Sequence, residues 1–439
     1  MSFPRVLIFH QTFNDFSGGG ITLTNLFKGW PIDTIAVVSK VEMMEGITFD
    51  VCDTYYELGA EEYRFLFPLN LIQRKSNSGL VTSAATAGVP LSSQRLGLRD
   101  KFVNRIFFPM MHWFGLFHLL SRISLTQNLK DWLAEFKPDI LYIQADKLSS
   151  LMYANMLCDY IKIPSAVHVM DDWQSRVNEK SLFGKYWRKR IDKEFRELLN
   201  KVDIHLSICD AMSVEYRKRY NKPFIAFHNP IEIDKWLPYI KADFLLNRKN
   251  VTILYTGRIG IGITESLLDV ATAIDLMNDG EVNIKLHIQT PSKRQTITDL
   301  LQNFKCVSIN PYVEYSQIPE ITSKADILLL ANDFSKEGIN FLRFSMPTKA
   351  SEYMISGTPV LVYAAKETAV SKFFREHECG YCLTQQNKEE IIKAIRFMID
   401  NEDYRKKISQ NAIEIAKENF NSEKVRYKFQ GLLKSLYKK

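Results

Sequence analysis

The chain has 439 residues, 46% of them hydrophobic and 24% charged. That is a globular composition with length for more than one domain, and it excludes wholesale disorder, collagen and coiled-coil arrays. Lys and Arg number 57 against 50 Asp and Glu, a formal charge of +7; this mild excess suits an anionic small ligand or an anionic membrane face and is too weak for a nucleic-acid scaffold.

Met1–Arg5 runs straight into the apolar Val6–Phe9. That run is too short for a signal-peptide core and no small-residue cleavage site follows, so a cytoplasmic chain is expected. Strands are predicted at Arg5–Phe9 and Thr34–Ser39. Leu71–Arg99 is rich in Ser, Thr, Gly and Ala with little periodicity, and reads as a mobile loop or lid over about 71–100. Ile106–Leu120 is aromatic but contains Pro109, His112 and His118. It falls short of the ~20 residues that span a bilayer and reads as a buried helix or as an interfacial membrane contact. Further strands are predicted at Asp139–Gln144, Ala166–Val169, Asp203–Ile208 and Phe224–Phe227. Lys185–Arg190 opens an amphipathic helix with a basic, aromatic turn, which reads first as a solvated helix face and otherwise as a contact for a membrane or an acidic acceptor.

A second series follows: strands at Val251–Thr256, Asn283–Gln289, Asp326–Ala331 and Pro359–Ala364, with helices at Glu265–Met277, Lys349–Ile355 and Lys388–Ile399. Near-continuous apolar strands alternating with helices predict parallel sheets covered on both faces. The fold class is therefore α/β, with two Rossmann-like parallel-sheet domains facing each other across a cleft. The expected division is 1–232, 233–418 and a basic amphipathic terminal helix over 419–439. Six cysteines are scattered apart from Cys379 and Cys382. A chain of this size needs no disulfide framework, and one Cys-x-x-Cys lacks a second ligand pair for a metal.

Four constellations carry chemistry. Gly18, Gly19 and Gly20 follow the first strand and precede a helix start, where close backbone approach and free N–H groups favour an anion. Gly257 and Arg258 follow Val251–Thr256, and Gly260 and Gly262 continue the loop. The dinucleotide fingerprint fails because Glu265 stands at its third glycine position. What remains is a guanidinium at a strand's C-terminal end, suited to phosphate. Pro347, Thr348 and Lys349 open a helix that stops at Gly357, so amides, a hydroxyl and an ammonium converge on a phosphate. Glu352 lies one turn on, placed to accept from a ribose diol or to complement the helix dipole. His168 and Asp171, with Asp172, end a first-domain strand and are expected to face the cleft. No Asp-x-Asp occurs, so no metal is expected and Arg258 and Lys349 are assigned the neutralising role.

Together these residues resemble the GT-B glycosyltransferases, in the large retaining family (glycosyl transferases group 1) that includes bacterial capsule, O-antigen and phosphatidylinositol mannosyltransferases. The similarity covers the whole chain and is strongest over Asn229–Val362. Its pieces occur in order: Gly18–Gly20, His168, His228–Asp234, Arg258 after Thr256-Gly257, and Glu352 before Gly357-Thr358-Pro359. The sequence departs from the family where Phe344 stands eight residues before Glu352, in place of a first Glu. It departs again where Gly262 and Ile263 replace a Lys. It resembles a subgroup reading Ser-x-Pro-x-Lys-x-x-Glu-Tyr, in which the loop before Lys349 contacts the donor; with the usual Lys missing, Lys349 is expected to supply the second positive charge.

The resemblance implies a hexosyltransferase acting with retention and without metal or cofactor. It would move a sugar from a nucleotide diphosphate sugar, UDP by frequency in the family, to a glycan or lipid-linked saccharide in bacterial surface polysaccharide synthesis. Catalytic roles fall to His168, Asp171, Arg258 and Lys349. Donor binding falls to Gly18, Gly19, Gly20, Gly257, Arg258, Pro347, Thr348, Lys349 and Glu352. Peripheral contact with the cytoplasmic membrane face is compatible with it, and nucleic acid is not a partner. The alternatives are a nucleotide-sugar epimerase of the same fold and a non-catalytic nucleotide-sugar or glycan-binding protein.

Overall fold

The computed structural model describes residues 3–67, 69–71, 73, 76–81, 108–114, 120–175, 181–278, 280–291, 295–311 and 313–437. The chain divides into two compact units, Met1–Phe227 with Tyr427–Lys439, and His228–Arg426. The divisions therefore fall at 227/228 and 426/427, where the sequence placed them at 232/233 and 418/419. The terminal helix Ser422–Tyr437 straddles the second of them, and Phe429 lies edge-on to Phe27, Tyr142 and Phe227 within the first unit.

Strands of the first unit are β1 (Val6–Phe9), β2 (Ile35–Lys40), β3 (Thr54–Leu58), β4 (Tyr63–Phe65), β5 (Gly79–Val81), β6 (Ser121–Ile123), β7 (Ile140–Ile143), β8 (Ser165–Val169), β9 (Ile204–Ser207) and β10 (Phe224–Ala226). Eight of them form one sheet in the order β10-β9-β8-β7-β1-β2-β3-β5. All its pairs are parallel except β3 with β5. β4 and β6 pair separately as an antiparallel ribbon. Val6–Phe9 is fully buried, as expected of a central parallel strand with helices on both faces.

The second unit has β11 (Val251–Thr256), β12 (Ile284–Gln289), β13 (Val307–Asn310), β14 (Ile327–Ala331), β15 (Val360–Tyr363) and β16 (Tyr381–Leu383), in the order β13-β12-β11-β14-β15-β16 and parallel throughout. Its core has two layers. Ile253, Tyr255, Leu286 and Leu329 pack against the Thr264–Met277 and Lys388–Asp400 helices. Leu254, Leu328, Leu330 and Val362 pack against Ala350, Tyr353 and Met354 of the Thr348–Ser356 helix.

Three aspartates just before strands fasten the sheets at one end. Asp139 accepts from the Arg5 N–H at 2.8 Å, Asp203 from Ser165 at 2.9 Å and Asp326 from Thr252 at 2.8 Å. In each sheet the strand order reverses beside a central strand, between β1 and β7 and between β11 and β14. Open α/β sheets bind ligands at that reversal, beyond the strands' C-terminal ends.

Several expectations need correction. Gly79–Val81 is an edge strand, not part of a loop over Leu71–Arg99; three residues are too few for an alternating pattern to register. Of the rest of that segment, residues 72, 74, 75 and 82–99 lie outside the described residues, and Leu71 closes a short 3-10 turn, Leu69–Leu71. Of Ile106–Leu120, residues 108–114 and 120 are described, and Phe108–Trp113 is helical. Its faces are mixed, with Met111 buried and Met110 and Trp113 exposed. The thiols of Cys379 and Cys382 are both free and burial pushes each up to about 12.

Candidate active site

At the strand-order reversal of the second unit, β11 ends in Thr256 and runs into Gly257, whose φ is +123°. A side chain there would be strained, and its Cβ would lie 3.4 Å from the Lys349 Nζ. The backbone angle, rather than crowding by the lysine, is what calls for glycine. Lys349 Nζ donates to the Thr256 carbonyl at 2.8 Å and sits 3.6 Å from the centroid of the Tyr255 ring. Burial of the amine pushes its pKa down to about 7; nearby Glu352 raises it and Arg258 lowers it further.

Lys349 and Glu352 share the helix Thr348–Ser356. Pro347 caps its start with β-region backbone, and no side chain closes the cap. Gly357 ends it in the left-handed region. Glu352 is buried, and one of its oxygens accepts from the Tyr315 hydroxyl at 2.7 Å. Burial raises the carboxyl to about 7, against the opposing effects of Tyr315 and Lys349. Next along the helix, the Tyr353 hydroxyl accepts from the Thr256 N–H at 2.8 Å. The helix is thus pinned to the end of β11 by Lys349 and Tyr353. Arg258 is exposed, and its carbonyl accepts from the Tyr255 hydroxyl at 2.7 Å, which fixes the loop while leaving the guanidinium outside the core.

The reversal's other side is Asn332–Asp333, after β14. Asp333 accepts from the Ser266 N–H at 2.9 Å and donates its own N–H to the Gly262 carbonyl at 2.7 Å. It therefore ties the glycine loop to the first turn of the Thr264–Met277 helix. Burial raises its carboxyl to about 6. Gly338 is packed on it: a Cβ would lie 2.8 Å from the Asp333 Cβ.

Arg258, Lys349, Glu352, Pro347, Thr348 and Gly257 therefore belong to one unit, and Lys349 joins the Gly257 loop to the Thr348–Ser356 helix. The lysine is not yet aimed at a phosphate, as the sequence suggested, but rests on a backbone carbonyl. Tyr315, Tyr255 and Asp333 were missed, and Tyr353 entered only as the last residue of the Ser-x-Pro-x-Lys-x-x-Glu-Tyr motif, without a role. Tyr315 lies 37 residues from its partner.

The first-unit residues depart further from expectation. Gly18–Gly20 is not a loop but the first turn of the Gly18–Phe27 helix, and the Ser17 side chain already accepts from the Gly20 N–H. A Cβ on Gly19 would meet Gln11 at 2.6 Å, and one on Gly20 would meet Asn14 at 2.2 Å. These glycines accommodate protein side chains. His168 lies inside β8, not at its end. It is buried, and its Nδ1 is 2.6 Å from the Tyr142 hydroxyl. Burial pushes its pKa down to about 4, so the ring is neutral. Asp172 turns inward to Arg219, at 2.7 and 3.2 Å, and accepts from Tyr216 at 2.8 Å. Asp171 is exposed.

The reversal between β1 and β7 carries a pair the sequence did not announce. Buried His10, at φ +83°, places Nε2 2.8 Å from an Asp146 oxygen. Burial would raise the Asp146 carboxyl, but the hydrogen bond and charge of His10 outweigh it and hold it well below the usual carboxylate range. Among the described residues, no group of three or more His, Cys, Asp or Glu is placed to hold a metal ion.

Residues 240–415 match the family model described as glycosyl transferases group 1. Three solved structures resemble the whole chain at TM-score 0.62 and 12% identity. They are a sucrose-phosphate synthase from Thermosynechococcus elongatus (99% of each chain covered), a glycosyltransferase from Rickettsia africae ESF-5 (100% of each) and Anabaena Alr3699/HepE in complex with UDP and glucose (98% of this chain, 100% of that one). The fold is GT-B. A UDP-GlcNAc 2-epimerase from Neisseria meningitidis bound to UDP-GlcNAc shares the architecture at TM-score 0.52 and 16% identity, over 99% of this chain and 100% of that one. No curated protein sequence matches the chain significantly. The family match contains Gly257, Arg258, Pro347, Thr348, Lys349 and Glu352, all within one half of this GT-B chain.

Proposed function

We propose that the protein is a cytoplasmic hexosyltransferase. It would move a sugar, with retention and without a metal ion, from a nucleotide diphosphate sugar to a glycan or lipid-linked saccharide in bacterial surface polysaccharide synthesis. UDP is the proposed nucleotide. The observation that carries the reading is the pair Lys349 and Glu352. They are one helical turn apart, Glu352 buried and Lys349 half-buried, at the C-terminal end of β11 in the segment that matches the family model.

In this reading Glu352 keeps one oxygen on Tyr315 and accepts from the ribose diol with the other. Arg258 and Lys349 meet the diphosphate, and the uncapped N–H groups at Thr348 add to them. The bond between the anomeric carbon and the phosphate oxygen breaks. Negative charge grows on the leaving phosphate, so fixed cations there stabilise the transition state more than the ground state. The acceptor oxygen attacks from the same face, and its proton passes to the departing phosphate. Asp171 keeps its proposed role of orienting a hydroxyl. His168, neutral and enclosed, holds β8 against Tyr142 and is a positioning residue.

Arg258→Ala tests the assignment, because the exposed guanidinium can be removed without disturbing the core. Turnover of UDP-sugar with acceptor should fall about 10²-fold while the melting temperature holds. Turnover near wild type refutes the role. The likeness to the Neisseria epimerase favours a second reading, in which Asp333, titrating near 6, serves as an acid or base. Incubating donor alone separates the two, since an epimer forms without acceptor only under the second.

A further inference from the structure

We infer that the first unit carries a docking surface for an anionic lipid bilayer, built where the Phe108–Trp113 helix meets the start of the Gly184–Lys201 helix. This inference does not depend on the transfer chemistry. The two segments are far apart in sequence but joined in space: the Trp113 carbonyl accepts from the Leu182 N–H at 2.9 Å and from the Ser181 hydroxyl at 2.7 Å. Around that junction Met110, Trp113, Leu182, Phe183 and Tyr186 are each 44–57% exposed. Five large apolar side chains from two adjoining segments are more than the scattered single exposures a soluble surface normally shows.

Charge decides what covers them. Residues 181–191 hold four cations, Lys185, Arg188, Lys189 and Arg190, and no carboxylate. Lys185 and Lys189 are exposed on the same turns as Tyr186, whereas Arg190 is engaged by Glu194 at 2.8 Å. Aromatic rings that enter the headgroup region, bordered by lysines that meet lipid phosphates, make an interfacial contact. A second copy of this chain would bring the same cations against each other, so self-association is disfavoured. Among the described residues no helix is long and apolar enough to cross a membrane, so the contact is peripheral.

Vesicle co-sedimentation of the full chain tests this, with phosphatidylcholine vesicles and vesicles containing about one third phosphatidylglycerol. Binding is expected only to the anionic vesicles and should weaken with salt. Lys185→Ala with Lys189→Ala should lower partitioning more than tenfold, at roughly fivefold per lysine. Phe183→Ser with Tyr186→Ser should lower it by a similar factor, with the melting temperature of both variants unchanged. Absence of binding to anionic vesicles overturns the inference, as does binding indifferent to both variants. A concentration-dependent dimer that Phe183→Ser abolishes, without vesicle binding, assigns the patch to self-association and also overturns it.

Discussion

Lys349 shows how one partly buried cation couples ligand, proton and backbone. A free lysine titrates near 10.4, but here burial has brought the amine down to about 7, so near neutrality it is charged in only part of the molecules. A diphosphate beside it would restore the charge and take up a proton. Affinity for UDP should therefore be highest where Lys349 is protonated and fall as pH rises above about 7, by up to tenfold per unit. Titration calorimetry between pH 7.5 and 9, in buffers of different ionisation heat, reads both the slope and the proton. Lys349→Met should bind weakly at pH 7.5 and lose the slope; a flat wild-type profile would contradict this role. The same shifts act on stability. Lys349, depressed in the fold, costs most below about 7, and the cost fades towards its unfolded value. Glu352, raised to about 7, costs nothing below its usual 4.5 and most above 7. Both residues were legible because they sit three apart at a marked helix start. Tyr315, which fixes Glu352, was not, since only the fold brings it there.

At the scale of elements, ten expected strands formed within a residue or so of their predicted ends, because continuous apolar runs mark central parallel strands. Those missed, β3, β13 and β16 among them, are mostly shorter or more mixed in exposure, and their pairing comes from neighbours rather than pattern. The Gly18–Gly20 turn misled for a related reason. A missing Cβ signals close approach, and sequence does not say to what; here it is Gln11 and Asn14. Gly338 carries a sharper form of the same argument. Its Cβ position lies 2.8 Å from the Asp333 Cβ and 3.0 Å from the Asp333 carbonyl oxygen, neither of which is the end of a flexible side chain. Gly338→Ala should destabilise the second unit by about 1–3 kcal/mol, seen as an earlier denaturant midpoint, and should loosen the Asp333 hold on Ser266 and Gly262. An unchanged midpoint would show that the turn can shift freely.

On the scale of the whole molecule, the two α/β rhythms are plain in the sequence. Less visible was the asymmetry between the units. The second gathers its motif residues at the β11/β14 reversal, whereas the first turns His168 and Asp172 inward and presents His10 with Asp146 at the β1/β7 reversal. Continuous apolar runs alternating with helices announce a sheet, but the sequence does not say which of the polar side chains at its ends turns inward. The central claim is that cations and helix amides of the second unit, without a divalent ion, hold a nucleotide diphosphate. Calorimetric titration of UDP into the full chain in excess chelator tests it most directly, with Lys349→Met and Arg258→Ala alongside. The account predicts one site per chain in chelator, with affinity reduced at least tenfold in each variant. Binding that requires added magnesium, or that neither substitution weakens, would contradict it.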